Sequence, residues 1–449
     1  MTIAQIIATL EVLGAAPRKS LGQNFLHDRN LARWIVNRLD LEPGDHVLEI
    51  GPGLGALTEE ILAQGVSATL LERDRLFAQF LQNRFRDQHW QVISGDALEY
   101  DCRDLFILQS VKVVGNLPYY ISTPLLFHFT AEPSPFRKMV FTLQKEVADR
   151  VAASSGNKAY GILSVLLQAR WRITSPRVLA SSVFFPRPQV DSAVVELVPR
   201  TGSDALVISW DTFQLAVRTG FGARRKQLRG RLATTFDGER VNAAFEKLDL
   251  RPDARAEDLS LGVWVELASY LEPVPAAQSS AHEQLQVVDD TDQPLAGANR
   301  DEVHSKGLLH RAVHVFVCNE RGELFLQKRS HRKDRFPGCW DSSAAGHVDV
   351  GETYEGCAHR ELREELELEI GLEPVGKIEA SPRTGYEFIR LYAGSADGPF
   401  RLNRDEIETG GFFRRETLDR WLEQRPADFA PGFHECYELV RTVRQDRRK

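Results

Sequence analysis

The sequence predicts an α/β protein built from more than one domain, and three observations carry that prediction. From residue 40 to 145, short β-branched runs alternate with helix-length intervals, the pattern of a doubly wound sheet. Residues 204–271 lack such runs and show helical spacing instead. Residues 272–284, "EPVPAAQSSAHEQ", are rich in Pro, Ala and Ser without periodicity and read as a linker. At 449 residues the chain is long enough for two or three domains, each with its own core. The expected boundaries are 1–203 for an α/β domain, 204–271 for a helical domain, 272–284 for the linker and 285–449 for a last domain.

In chain order, "HVLEIG", "ATLLER", "WQVIS", "VKVVGN" and "KMVFTL" read as the strands of the first domain. "WDTFQLAVRTGF" and "VNAAFEKLDL" read as helices of the second. After the linker, "RAVHVFVCNERGELFLQKRS" reads as two strands joined by a turn at Arg321-Gly322, and one long helix carries the acidic stretch "GHVDVGETYEGCAHRELREEL".

Hydrophobic residues at 43% and charged residues at 27% describe an ordinary globular protein. No apolar run approaches the ~20 residues that span a bilayer. The opening "MTIAQIIATLEVLG" has no basic region and contains Glu11, so it does not read as a signal peptide. The five cysteines form neither a CxxC pair nor an even framework, which fits free thiols in a reducing compartment and a cytoplasmic protein. Charge is unevenly placed: residues 111–231 hold 17 Lys+Arg against 7 Asp+Glu, inside a chain of net charge −7. A basic region in an acidic chain points to a polyanion held on one face.

"HVLEIGPGLGALTEEIL" is a strand, a glycine-rich turn and a helix. Gly51, Gly53 and Gly55 allow a tight turn and close approach of a ligand. Glu72 ends the next strand, placed to accept hydrogen bonds from both hydroxyls of a ribose. The spacing is not GxGxxG, which points to a nucleoside cofactor other than a dinucleotide. In "SGDAL", Asp96 is placed either to bind an adenine amino group or to cap a helix. In "GNLPYYIS", Asn116 and the backbone carbonyl of Leu117 offer two acceptors for the hydrogens of an exocyclic amine, and Tyr119 offers a stacking surface for an extruded base. "RTGFGARRKQLRGR" has six basic residues and no acidic one, suited to gripping phosphates through Arg224, Arg225, Lys226 and Arg229.

Residues 17–271 resemble the bacterial 16S rRNA adenine N6,N6-dimethyltransferases through "KSLGQNFLHD", "VLEIGPGLGALT", "GDAL", "GNLPYYIS", "FFPRPQVDSAVVEL" and "FGARRKQL". The erythromycin-resistance rRNA methyltransferases share the NxPY logic, but the "FFPRPQVDSAVVEL" and "RRKQL" contexts look like the small-subunit enzyme. The resemblance implies a Rossmann-like domain, S-adenosylmethionine as cofactor, and contacts to it from Asn24, Leu26, Gly51, Gly53, Glu72, Asp96 and Asn116. It implies that Phe184 joins Tyr119 around the target base, and that the substrate is two adjacent adenines of 16S rRNA in the immature small subunit, each methylated twice. A ribosome-assembly factor whose binding matters more than its chemistry is the rival reading.

In "GHVDVGETYEGCAHRELREEL", Gly346, Glu352, Arg360, Glu361, Leu362, Glu364 and Glu365 fall on one pattern. On a helix Glu361, Glu364 and Glu365 span about 100° of arc. Ala358, Leu362 and Leu366 lie beside them on the buried side, and Arg360 stands four residues from Glu364. Converging carboxylates call for a cation, and Mg²⁺ with oxygen ligands suits them. The pattern is that of the Nudix box, and residues 285–449 resemble Nudix domains. That implies an α/β/α sandwich, hydrolysis of a diphosphate-linked small molecule, Glu361, Glu364 and Glu365 as metal ligands, and Glu352 or Glu406 as accessory base or ligand. The box departs where Glu367 replaces a glycine. "SKGLLHRAVHVFV" and "KDRFPGCWDSSAAGHVDVGE" look like isopentenyl-diphosphate isomerase and its close Nudix relatives. Ala345 stands where isomerases place a catalytic cysteine, and Gly385 precedes Glu387 where they place paired acids, so a hydrolase is expected over an isomerase. His310, His314 and His347 are within reach of a metal by sequence, or structural.

Overall fold

The computed structural model describes residues 1–18, 22–85, 90–200, 210–222, 226–271, 284–330, 333 and 335–447, in two compact units, Met1–Glu272 and Pro273–Lys449. Most of the expected linker therefore lies outside the described residues.

In the first unit the β-branched runs pair into a seven-stranded sheet. Its order is Trp90–Ser94, Ser67–Glu72, His46–Ile50, Val111–Asn116, Phe136–Gln144, Ser192–Pro199, Trp171–Leu179. The first five run parallel, and Ser192–Pro199 runs antiparallel to both of its neighbours. The chain leaves His46–Ile50 toward one side and later returns to its other side at Val111–Asn116, so the strand order reverses there. The crevice at such a reversal, beyond the carboxyl ends of the strands, is where this architecture binds ligands. Alternate side chains fill two cores: Val113, Met139, Phe141 and Val195 on one face, Val47, Leu70, Val114 and Val140 on the other.

Helices Trp210–Phe221, Leu228–Leu232, Gly238–Lys247 and Leu261–Leu271 build the expected helical region. Their apolar faces close on a core with Phe213, Val217, Val241 and Trp264, which also takes in Val165 and Leu166 of the helix Ile162–Arg170.

The second unit is an α/β/α sandwich. His310–Cys318 is its central strand, paired in parallel with Glu387–Ser395 and antiparallel with Ala344–His347. Period-2 alternation sends Val313, Val315 and Val317 to one face, against Cys357, Ala358, Leu362 and Leu366 of the helix Tyr354–Leu366. Phe316 turns to the other face, meeting Phe433 and Tyr437 of the helix Pro431–Arg447 edge-on. Glu367 ends the helix Tyr354–Leu366 in the left-handed conformation, φ 50° and ψ 39°, the geometry a glycine adopts without strain. Arg401 lies 3.1 Å from its carboxylate. The loss of the glycine therefore keeps the helix terminus in place.

Candidate active sites

In the first unit a cleft opens at the carboxyl ends of the central strands, lined by Asn24, Leu26, Gly51, Gly53, Glu72, Asp96 and Asn116 among others. Gly51 and Gly53 take positive φ (63° and 57°), and a Cβ on Gly53 would press within 3.2 Å of the Phe25 ring. Glu72 is buried, its Oε2 accepting from Gly53 N at 3.0 Å and its Oε1 from Asp74 N at 2.8 Å. Burial pushes its pKa up, against the pull of those N–H groups. Asp96 accepts from Leu98 N at 3.0 Å, as a cap would, and lies 3.4 Å from Arg73. Asn116 Nδ2 donates to the Asn24 carbonyl at 2.9 Å, which ties the end of one strand to the "QNFL" segment. A Cβ at Gly115 would sit 2.8 Å from the Ile50 carbonyl oxygen, so only glycine lets the two central strands end side by side.

Three predicted residues, Leu117, Tyr119 and Phe184, lie outside the lining of this cleft, and the Leu117 side chain is buried. Tyr119 is half-buried with its hydroxyl 2.7 Å from Ser192 Oγ, and Phe184 is buried in register with Leu26. Tyr120, which sequence reasoning passed over, does line the cleft and is 51% exposed. Of the basic residues, Lys226 and Arg229 are exposed, with Arg229 Nε donating to Asn242 at 2.8 Å; Arg224 and Arg225 lie outside the described residues.

Glu49 also lines the cleft, and the sequence reading did not single it out. Thr58 Oγ1 donates to it at 2.6 Å, and burial, reinforced by Glu72, pushes its pKa up to about 8. A carboxyl whose folded pKa is raised contributes stability below its unfolded value of about 4.3 and loses it as pH climbs through the folded one. The cofactor-free protein should therefore melt lower at pH 9 than at pH 6. In Glu49→Gln that difference should shrink. Unchanged thermal melts across this pH range in both proteins would remove Glu49 as the source.

In the second unit, a cavity is walled on one side by the helix Tyr354–Leu366. Arg360 clamps Glu352 through two bonds of 3.0 Å, and its Nη1 reaches Glu361 at 2.7 Å and Glu364 at 3.1 Å. Burial lowers the guanidinium pKa and these carboxylates raise it further, so the net shift is upward. Glu352 thus holds Arg360, and Arg360 holds the helix carboxylates. Glu365 is buried beneath them, accepting from Gln327 Nε2 at 3.0 Å and Ala345 N at 3.1 Å. Burial, followed by repulsion from Glu406, pushes Glu365 well up; burial, Glu406 and Glu364 lift Glu361 to about 8 against Arg360. Glu406 itself is pushed up by burial and pulled lower overall by Lys333, 2.7 Å away. Gly346 faces this group with no room to spare: a Cβ there would lie 1.9 Å from Glu361 Oε1.

A second cluster shares the cavity. His304, His310 and His347 present ring nitrogens within 4.8 Å of one another, the one such grouping of three or more His, Cys, Asp or Glu among the described residues. The helix glutamates are not gathered so tightly. Strand pairing brings two of them together, His310 in register with Glu387 and His347 with Ala312 two residues on, and the helix Arg300–Lys306 supplies His304. Glu387 Oε1 lies 3.3 Å from His347 Nε2 and 3.6 Å from His310 Nε2. Burial raises the Glu387 pKa but both rings pull it far down, while burial, His347 and Arg335 push His304 down to about 4. Sequence reasoning named His310 and His347 and missed His304, whose available signal was its position six residues before His310, across Gly307. His314 is buried and turned to Ser342 Oγ at 2.7 Å.

Residues 14–272 match the family described as Ribosomal RNA adenine dimethylase, more than half of the chain. The chain belongs to that family. Residues 308–433 match the NUDIX domain, so both lie in one polypeptide. Ribosomal RNA small subunit methyltransferase A of Xanthomonas campestris pv. campestris (strain B100) is 44% identical over 256 residues, covering 57% of this chain and 96% of the relative. Among solved structures, a dimethyladenosine transferase from Plasmodium falciparum is similar at 23% identity and TM-score 0.48, over 54% of this chain and 95% of its own. The protein DR0079 from Deinococcus radiodurans is similar at 29% identity and TM-score 0.31, over 35% of this chain and 98% of its own. The chain is thus an rRNA adenine methyltransferase family member with a Nudix domain. No described helix is long and apolar enough to cross a membrane.

Proposed function

We propose that the first unit transfers methyl groups from S-adenosylmethionine to N6 of two adjacent adenines in a 16S rRNA loop, during maturation of the small ribosomal subunit. The observation that carries this reading is the setting of Asn116. Its Nδ2 is engaged by the Asn24 carbonyl, which leaves Oδ1 as an oriented acceptor on the cleft wall. An exocyclic amine is a poor nucleophile because its lone pair is delocalised into the ring. Asn116 Oδ1 and the Leu117 carbonyl, accepting its two hydrogens, would favour the tetrahedral nitrogen that attacks.

The cleft fits the cofactor by its own chemistry. Each Glu72 oxygen accepts one backbone N–H and keeps a lone pair for a ribose hydroxyl. Gly51 and Gly53 admit close approach. When bound, S-adenosylmethionine supplies the electrophilic methyl group. The basic excess of residues 111–231, with Lys226 and Arg229 exposed, suits the phosphates of a structured RNA. The name of the Xanthomonas relative, Ribosomal RNA small subunit methyltransferase A, supports the small subunit as substrate.

The second unit, in this proposal, hydrolyses a diphosphate-linked small molecule with Mg²⁺. Glu361, Glu364, Glu365 and Glu406 would hold the ion, whose charge would offset that of the diphosphate. The fit rests on buried carboxylates that raise one another's pKa, a donor set a divalent cation would neutralise. Arg300, Lys333, Arg335 and Arg383 line the same cavity and would take the phosphates. Ala345 and Gly385 leave out the isomerase's cysteine and second acid, which supports hydrolysis over isomerisation. Incubation with Mg²⁺ and a panel of nucleoside and isoprenoid diphosphates, followed by phosphorus NMR, tests this. The expected result is a product that Glu364→Gln abolishes. No turnover across the panel, with no Mg²⁺ binding, would instead make the domain a binding module.

A further inference from the structure

One contact at the first unit's cleft joins the two halves of its proposed chemistry. Arg73 follows Glu72 at a strand end, and Tyr120 stands on the turn that carries Asn116, Leu117 and Tyr119. Both line the cleft and both are half exposed, the Arg73 side chain at 53% and Tyr120 at 51%. Arg73 Nη1 donates to the Tyr120 hydroxyl at 3.4 Å and lies 3.4 Å from Asp96 Oδ2. A single guanidinium nitrogen therefore reaches from the wall that holds Asp96 to the turn that presents the two amine acceptors.

Arg73 is the one cation among the described residues that line the cleft, beside the carboxylates of Glu49, Glu72 and Asp96. Its contacts do little for the fold, since an ion pair this exposed contributes about 0–1 kcal/mol. A guanidinium is planar, donates from its edge and stacks by its face on aromatic rings. It can keep Asp96 and Tyr120 at its edge and still lay its face on a purine. Asp96 leaves room for this. Its Oδ1 accepts from Leu98 N at 3.0 Å, while Oδ2, with two lone pairs, can accept from Arg73 and from an adenine amino group together.

The cleft encloses about 110 Å³, short of the roughly 300 Å³ at which small-molecule sites begin. A nucleoside must therefore displace some of the lining. Leu57, Leu71, Phe77 and Leu125 are packed into the cores, and Asn116 is tied to Asn24. The half-exposed pair of Arg73 and Tyr120 is placed to give way and to settle again on what has entered.

We propose that Arg73 is a positioning residue: it stacks on the adenine of the cofactor, holds Tyr120, and so ties cofactor binding to the set of the turn that receives the target base. The proposal rests on the reading of this cleft as the S-adenosylmethionine site. Linkage makes the tie reciprocal, so RNA on the turn tightens the cofactor by the factor by which cofactor tightens the RNA.

The test is equilibrium dialysis of radiolabelled S-adenosylhomocysteine, the cofactor without its methyl group, against the full chain, alone and with saturating unmethylated small ribosomal subunits. Subunits should tighten its binding to wild type by about fivefold or more. Arg73→Met, which keeps the length and removes the plane and the charge, should bind it about fivefold more weakly alone, the scale of a stacked cation. It should also lose the subunit effect. Tyr120→Phe should bind it like wild type alone and lose the subunit effect, and the double variant should match Arg73→Met. Thermal melts of the cofactor-free variants should equal wild type. Wild-type binding and a wild-type subunit effect in Arg73→Met would overturn the proposal while the cofactor reading stands. A weakened Arg73→Met that keeps the subunit effect would overturn the tie through Tyr120. Wild type that binds no S-adenosylhomocysteine, with or without subunits, would sink the cofactor reading itself and this proposal with it.

Discussion

Asn116→Ala should lower methylation of unmethylated small subunits about 10²–10³-fold, the usual effect of removing one oriented polar group that acts in the transition state. Two losses combine. The acceptor Oδ1 disappears from the amine, and the bond from Nδ2 to the Asn24 carbonyl is broken, freeing the segment that lines the other side of the cleft. Asn116 is half-buried at a strand end, so the sheet beneath it should survive and the melting temperature should shift little. Single-turnover assays with labelled cofactor would separate the chemical step from binding. A wild-type rate would sink the proposed site. Wild-type subunit assembly by an inactive Asn116→Ala protein would favour the assembly-factor rival, provided changes at Lys226 and Arg229 impair assembly.

Gly346→Ala should disable the Nudix carboxylates while leaving their chemistry unaltered. The added Cβ would fall 1.9 Å from Glu361 Oε1, which is buried and tied to Arg360 at 2.7 Å, so the carboxylate or the strand must shift. Overpacking of this kind typically costs about 1–3 kcal/mol. In a unit of this size that lowers the melting temperature by roughly 2–4 °C per kcal/mol. Misplacement of a catalytic carboxylate by about 1 Å should reduce turnover of whatever diphosphate the panel identifies by about 10²-fold. Turnover and melting equal to wild type would mean that Glu361 has room the geometry denies it.

Gly346 shows why local pattern carries far in this protein. The pattern places it six residues before Glu352, yet the reason for a glycine lies across space, in a carboxylate fifteen residues later on the packed helix. Glu352 shows the reverse. Sequence reasoning offered it as accessory base or ligand, and the fold shows it as the bidentate anchor of Arg360. Tyr119 and Tyr120 are adjacent and chemically alike, and only the turn after Pro118 decides that the second lines the cleft.

Periodicity and glycine spacing by themselves determined the alternating strands, the glycine-rich turn, the acidic helix and the order of the domains. These are local properties, written in residues a few positions apart and read through backbone sterics and side-chain period. What only the tertiary structure decided is contact between distant segments: Asn116 with Asn24, Glu361 with Gly346, and three histidines spread over forty-four residues, one on the helix Arg300–Lys306 and two on paired strands, gathered near Glu387 and Arg335. Strand register sets those meetings, and register is fixed by which faces must be buried together, a condition the whole sheet satisfies and no short stretch records.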